Sequence, residues 1–226
     1  MDGTNTVVTG ASRGIGANVV RRFVAEGARV TCCARSLDGI EAVTEDVEGP
    51  ATAVQADVRD EFDVRRLMET AARDGDIDVV VANAAVTGGE PGASPLDETS
   101  YAAFDDTMRT NVRGVFATIT EALPHLAADG RILVPSGSVA REATPGMGAY
   151  AVSKAGAEAL ARGFSADIEQ SVGVVDPGYV ATDLSGGTGR DPEDVAPMFV
   201  WAARDVDADA VDGEVLDLRA WKRATR

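Results

Sequence analysis

Apolar residues along the chain fall into short β-branched runs separated by stretches with helical spacing. Residues 6–9, Thr-Val-Val-Thr, form the first run and end in a glycine-rich turn, after which Ile15, Val19, Val20, Phe23 and Val24 recur on one helix face. This predicts a strand followed by a helix. Gly27 closes that helix, and residues 29–34 predict a second strand, 37–47 a second helix and 51–56 a third strand before Asp57. Residues 77–82 are nearly all apolar, as expected of a strand covered on both faces in a parallel sheet. The spacing then predicts one long helix over 101–126, strands over 131–134 and 172–175, helices over 149–168 and 192–203, and a last strand over 214–218. Six or seven strands with intervening helices predict a doubly wound α/β sheet of the Rossmann type, with helices on both faces. No linker interrupts the pattern, so residues 1–226 are expected to form one domain.

The turn between the first strand and first helix reads Thr9-Gly10-Ala11-Ser12-Arg13-Gly14-Ile15-Gly16. Its glycines permit a tight turn and a close approach of backbone to a phosphate, and the dipole of the following helix favours an anion there. A glycine cluster by itself is equally a plain turn. Its place inside a β-α-β unit points to nucleotide binding.

Tyr150-Ala151-Val152-Ser153-Lys154 puts a phenol and an ammonium four residues apart on one helix face. With three Tyr and two Lys in the chain, such a pair is expected by chance about 0.03 times. A free phenol, with a pKa near 10, exchanges protons poorly at neutral pH, and a neighbouring cation stabilises its phenolate. The spacing therefore predicts that Lys154 lowers the pKa of Tyr150, which then serves as general acid or base.

Together these motifs resemble the short-chain dehydrogenase/reductase family, which writes its phosphate loop Thr-Gly-x-x-x-Gly-x-Gly. The resemblance runs through nearly the whole chain. It implies that Gly10, Ser12, Arg13, Gly14, Ile15 and Gly16 cradle a nicotinamide dinucleotide and that Asp57 and Val58 meet its adenine, although an Asp there is also a common turn residue. Asn83-Ala84-Ala85 matches the family's Asn-Ala-Gly, with alanine in place of glycine. Members that prefer NAD carry an acid at the end of the second strand. Here Ala34 stands in that place, with Arg35 next and Arg13 in the loop, so the resemblance implies NADP(H), its 2′-phosphate held by guanidinium groups.

The resemblance also implies that Tyr150 exchanges a proton with a carbonyl or alcohol oxygen while Lys154 holds the ribose. Asn111, in Thr110-Asn111-Val112-Arg113-Gly114, is implied to support a water at a local helix distortion and to link Lys154 to solvent. The family's substrate-orienting hydroxyl, about thirteen residues before the tyrosine, falls on Gly137, between Ser136 and Ser138. Pro135 cannot donate to a sheet and marks a bulge or an early strand end, a shift that favours Ser138 over its rival Ser136. Pro177-Gly178-Tyr179-Val180-Ala181-Thr182 resembles the loop that holds the carboxamide, with Pro177, Gly178, Val180 and Thr182 as its contacts. The short glycine-rich stretch at about 183–192 is expected to be an open, mobile lid on the substrate side.

Composition narrows the partners. Lys and Arg number 21 against 37 Asp and Glu, a net charge of −16 that repels nucleic acid and anionic membranes. Only Lys154 and Lys222 are lysines, and 23 of the acids are Asp. That bias fits either a salt-rich, halophilic cytoplasm or simply a GC-rich genome. No apolar run is long enough to span a bilayer and the first residues lack a signal core, so a cytoplasmic protein is expected. Cys32 and Cys33 are adjacent and would point to opposite faces of a strand, and His125 is the one histidine, so neither a disulfide framework nor a metal site is expected. Trp201 and Trp221 suit an oligomer contact or a core cover equally. The resemblance implies a homodimer or homotetramer acting on a small carbonyl or alcohol, as a 3-oxoacyl-type or broad carbonyl reductase. The competing reading is a non-catalytic NADP(H)-binding sensor of the same fold.

Overall fold

The computed structural model describes all 226 residues. Seven strands, β1 (Asn5–Thr9), β2 (Arg29–Ala34), β3 (Ala51–Gln55), β4 (Ile77–Val81), β5 (Leu126–Pro135), β6 (Ser171–Asp176) and β7 (Val215–Asp217), form one sheet in the order β3-β2-β1-β4-β5-β6-β7. Every neighbouring pair is parallel. Winding reverses between β1 and β4, and in sheets of this kind the crevice at that reversal is where ligands bind.

Helices cover both faces: α1 (Gly14–Ala25), α2 (Leu37–Glu45), α3 (Glu61–Ala71), α4 (Tyr101–Met108), α5 (Gly114–Ala122), α6 (Gly148–Asp167), α7 (Pro192–Val200), α8 (Ala208–Val211) and α9 (Leu218–Ala224). Alternation along each strand divides the core in two: Val8 and Cys32 belong to one buried cluster, Val7 and Cys33 to the other. Trp201 is buried in the first cluster and Trp221 packs against it, so both cover core. No helix is long and apolar enough to cross a membrane.

The expected long helix over 101–126 is in fact broken. After α4 the chain makes a π-helical turn at Arg109–Arg113, resumes as α5, and ends in a 3-10 turn at Leu123–His125. Pro124 lacks the N–H that a continuing helix needs. β5 begins at once at Leu126, five residues earlier than expected, and an irregularity in its pairing with β4 between Ile77 and Val79 absorbs the extra length. α9 was not anticipated. Asp217, the last residue of β7, caps it by accepting a hydrogen bond from the Ala220 amide at 2.7 Å.

Candidate active site

Helix starts decide where an anion can sit. Side chains cap α2, α3, α4, α7 and α9. At α1, as at α5, α6 and α8, no side chain does so; the first turn of α1 carries no acid, and Gly14 and Ile15 at its start lie in the wall of the crevice. The glycine loop ahead of α1 is held by the Ala11 amide donating to the Cys33 carbonyl at 3.0 Å. Gly10, at φ +66°, lies so close to the next segment that a Cβ would stand 2.6 Å from Ala84 Cα. A Cβ on Gly16 would stand 2.5 Å from the Gly10 carbonyl oxygen and 2.6 Å from Asn83 Nδ2. Asn83 Nδ2 donates to the carbonyls of Thr9 and Gly10, at 2.9 and 3.1 Å, and the Ala84 amide to Thr9 Oγ1 at 3.1 Å. Gly10 and Gly16 thus allow the loop and the segment after β4 to interlock.

A cleft of about 330 Å³ opens over this loop. It brings together Gly10, Ser12, Arg13, Gly14 and Ile15 with Arg35, Asp57, Val58, Asn83, Ala84, Ala85 and Thr182. Gly16, Asn111, Ser138, Tyr150, Lys154, Pro177, Gly178 and Val180 are not in its wall. Among the wall residues that the sequence reading did not single out are Arg59 and Thr110. Arg59 grips Asp57 through Nε and Nη2, at 3.0 and 2.7 Å, and reaches Asp106 Oδ1 at 2.6 Å. These bonds, with a smaller contribution from Arg35, hold the Asp57 carboxyl below its ordinary pKa. Thr110 is buried and its Oγ1 has no hydrogen-bond partner in the protein.

Arg13, expected to meet a 2′-phosphate, is paired here with an acid. Its Nε pairs with Asp183 Oδ2 at 3.1 Å, with both side chains 71% exposed, a contact worth at most about 1 kcal/mol. The stretch expected to be a loose lid is fastened to itself. Thr182 and Ser185 form a reciprocal capping box, Val180 bridges Arg190, and the Ala181 amide donates to the Arg190 carbonyl at 2.7 Å.

On α6, Lys154 Nζ stands 5.7 Å from the centre of the Tyr150 ring and donates to the Pro135 carbonyl at 2.9 Å. Burial pushes the Tyr150 hydroxyl up to about 12 and Lys154 down to about 8, the latter partly opposed by the charge of Glu158. The expectation that Lys154 lowers the pKa of Tyr150 is not met: the Tyr150 hydroxyl is raised, and desolvation of the phenolate is the cause. Asn111 lies in the π-helical turn. Its Nδ2 donates to the Val86 carbonyl at 2.7 Å and to Ser153 Oγ at 2.9 Å, and its Oδ1 accepts from the Val86 amide at 2.8 Å. With both amide protons taken, the side chain ties the segment after β4 to α6.

The two serines part company. Ser136 Oγ donates to Glu158 Oε1 at 2.7 Å and is committed there. Ser138 is exposed and opens a 3-10 turn. Gly178, at φ +73°, donates its amide to Asp176 Oδ1 at 3.0 Å, which shapes the start of the loop running to Thr182.

The buried ammonium gives a stability prediction. A lysine whose folded pKa is about 8 instead of 10.5 binds fewer protons folded than unfolded, so stability climbs as pH rises from about 8 to about 10.5. Below that window the strain is about 3 kcal/mol at 1.36 kcal/mol per pKa unit. Lys154→Met is expected to raise stability by up to that amount at pH 7 and to flatten this rise, as read by urea melts at pH 7 and pH 10.

The architecture is that of the dinucleotide-binding α/β class. Comparison with known proteins places it more closely. Residues 4–193 match the family model described as short chain dehydrogenase. L-fucose dehydrogenase of Oryctolagus cuniculus is 35% identical over 187 residues, which cover 80% of this chain and 64% of that protein. The chain thus spans a little under two thirds of that relative's length. The cyclic-di-GMP-binding biofilm dispersal mediator protein of Escherichia coli (strain K12) is 33% identical over 223 residues, covering 89% of this chain and 90% of that one. A short chain dehydrogenase from Burkholderia cenocepacia J2315, solved in complex with NADP, is similar with a TM-score of 0.86 and 29% identity across 97% of each chain. The chain belongs to the short-chain dehydrogenase family of oxidoreductases.

Proposed function

We propose that the protein is an NADP(H)-dependent oxidoreductase acting on a ketone, aldehyde or secondary alcohol, of the 3-oxoacyl-type or broad carbonyl reductase kind, working as a homodimer or homotetramer. The observation that carries this is the pairing of half-buried Tyr150 with buried Lys154 on one turn of α6. Three features fit the dinucleotide: the uncapped start of α1, the glycine loop beneath the cleft, and the unpartnered Thr110 hydroxyl in its wall. The Burkholderia relative's complex with NADP supports the same cofactor class.

When bound, the nicotinamide supplies or accepts hydride. Tyr150 Oη gives its proton to the substrate oxygen in reduction, and a phenol with a pKa near 12 is in the protonated state this needs. Lys154 spends one of its three protons on the Pro135 carbonyl, leaving two for the ribose hydroxyls. Ser138 orients the substrate oxygen, Asn111 keeps the π-helical turn in place beside α6, and Pro177, Gly178, Val180 and Thr182 form the carboxamide side. At the far end Asp57 and Val58 face the adenine while Arg35, joined by Arg13 on release from Asp183, meets the 2′-phosphate.

The decisive experiment is NADPH consumption with a panel of carbonyl compounds at low and high salt, with NADH alongside. Loss of one charge-assisted phosphate contact costs about 1.5–3 kcal/mol, so Arg35→Ala is expected to raise the KM for NADPH by roughly 10- to 100-fold and to leave that for NADH unchanged. Wild-type use of NADH at least as good as that of NADPH would remove the role given to Arg35 and Arg13. The E. coli relative is named for a nucleotide it binds, which supports a second reading, a non-catalytic NADP(H) sensor. Tight binding with no turnover on any compound would select it.

A further inference from the structure

Next to the Tyr150–Lys154 pair lies a charged cluster that the proton chemistry does not use. Glu158, one helical turn beyond Lys154, is 2% exposed, and Asp176, at the end of β6, is 6% exposed. Carboxylates so far from water require charged partners. Arg141 supplies one for both: its Nη1 donates to Glu158 Oε1 at 2.8 Å and its Nη2 to Asp176 Oδ2. A planar guanidinium can reach two acceptors at once in fixed directions, which the point charge of an ammonium cannot do with the same geometry.

The attachments at each end give the bridge its consequence. The amides of Arg141 and Glu142 both donate to the Ser138 carbonyl, at 2.9 and 2.8 Å, so Arg141 closes the very turn that Ser138 opens. No side chain caps that turn. Glu158 belongs to α6 and also holds Ser136. Asp176 turns its second oxygen to the Gly178 amide, at the head of the loop leading to Thr182. The serine turn, the tyrosine–lysine helix and the Pro177–Gly178 loop therefore meet at one side chain.

We propose that Arg141 is a positioning residue that, by joining Glu158 to Asp176, holds the Ser138 turn and the Pro177–Gly178 loop in one fixed frame against α6. The catalytic half of this rests on Ser138 being the substrate-orienting hydroxyl of the proposed function. The mechanical half does not.

Two substitutions test it. Arg141→Lys keeps the charge between the two carboxylates and loses the fork, and Arg141→Gln keeps donors without charge, so one stands in should the other fail to fold. In the cofactor-free protein, hydrogen exchange followed by mass spectrometry is expected to speed up about tenfold or more in residues 136–142 and 177–182, with α6 unchanged, because both segments lose their shared anchor. With the best compound of the carbonyl panel, Arg141→Lys is expected to lower kcat by about tenfold and to move the KM for NADPH by less than about threefold. In a Ser138→Ala background the same change is expected to cost less than about twofold, since groups acting as a unit are not additive. Unchanged exchange in either segment overturns the frame. Equal losses of kcat in both backgrounds overturn the link to Ser138 while leaving the proposed reaction standing. If Ser138→Ala itself leaves kcat intact, it is the serine's assigned role that falls, and the exchange result still decides whether Arg141 holds turn and loop together.

Discussion

Tyr150→Phe is expected to lower turnover of any carbonyl substrate by about 10²- to 10⁴-fold, the usual range for removal of a positioned proton donor, while the dissociation constant for NADPH stays within about twofold. The substitution deletes one oxygen and keeps the ring, so α6 and the place of Lys154 are preserved. Burial pushes the phenol up to about 12, so in the proposed reaction it would enter reduction protonated at neutral pH. Lys154, held near 8, loses its charge above that pH, and with it the support for the phenolate left after transfer. Carbonyl reduction is therefore expected to be level up to about pH 8 and to decline beyond it. Rates from NADPH absorbance, with binding from fluorescence titration, check both parts. A variant keeping a tenth or more of wild-type kcat would assign the proton to another group.

Gly10→Ala is expected to be strongly destabilising and to weaken cofactor binding together. The new carbon would stand 2.6 Å from Ala84 Cα and 3.0 Å from Ala84 N, both backbone atoms that cannot swing aside. Left-handed geometry adds about 1–2 kcal/mol, and overpacking about 1–3 kcal/mol. A loss of roughly 2–5 kcal/mol is a large part of the 5–15 kcal/mol typical of a folded domain. Thermal melts are expected to drop by about 2–4 °C per kcal/mol for a chain of this size, and NADPH affinity falls as the loop leaves the start of α1. Gly163 is the control: it lies inside α6 with nothing within 4 Å of an added Cβ, and alanine there is expected to stabilise by up to about 1 kcal/mol. Similar melts for the two variants would show that the interlock with Ala84 is not tight.

Much of this fold was legible because buried strands and amphipathic helices leave a period in the sequence. Val7 and Val8, or Cys32 and Cys33, announce a strand covered on both sides, and the place of the glycine loop directly after β1 was readable in the same way. The break at Arg109–Arg113 left no such trace, since one extra residue in a helical turn barely disturbs the spacing of Val112, Val115 and Ile119. Choices of partner were also invisible. Ser136 and Ser138 are separated by a contact with Glu158, 22 positions along the chain. Arg59, Arg141 and Arg13 found acids that no local pattern singles out among 37. The sign of the Tyr150 shift depended on burial, which the four-residue spacing from Lys154 does not encode.

The adjacent cysteines of β2 carry one last implication. Each thiol is fully enclosed, one on either side of the sheet, and burial pushes both up to about 12. Maleimides and disulfide reagents attack thiolates that solvent can reach, so the native chain offers them nothing until the sheet parts. Labelling speed then becomes an intrinsic gauge of how often the molecule opens, usable in crude extract, in concentrated brine or beside a bound cofactor, with no dye or tag attached.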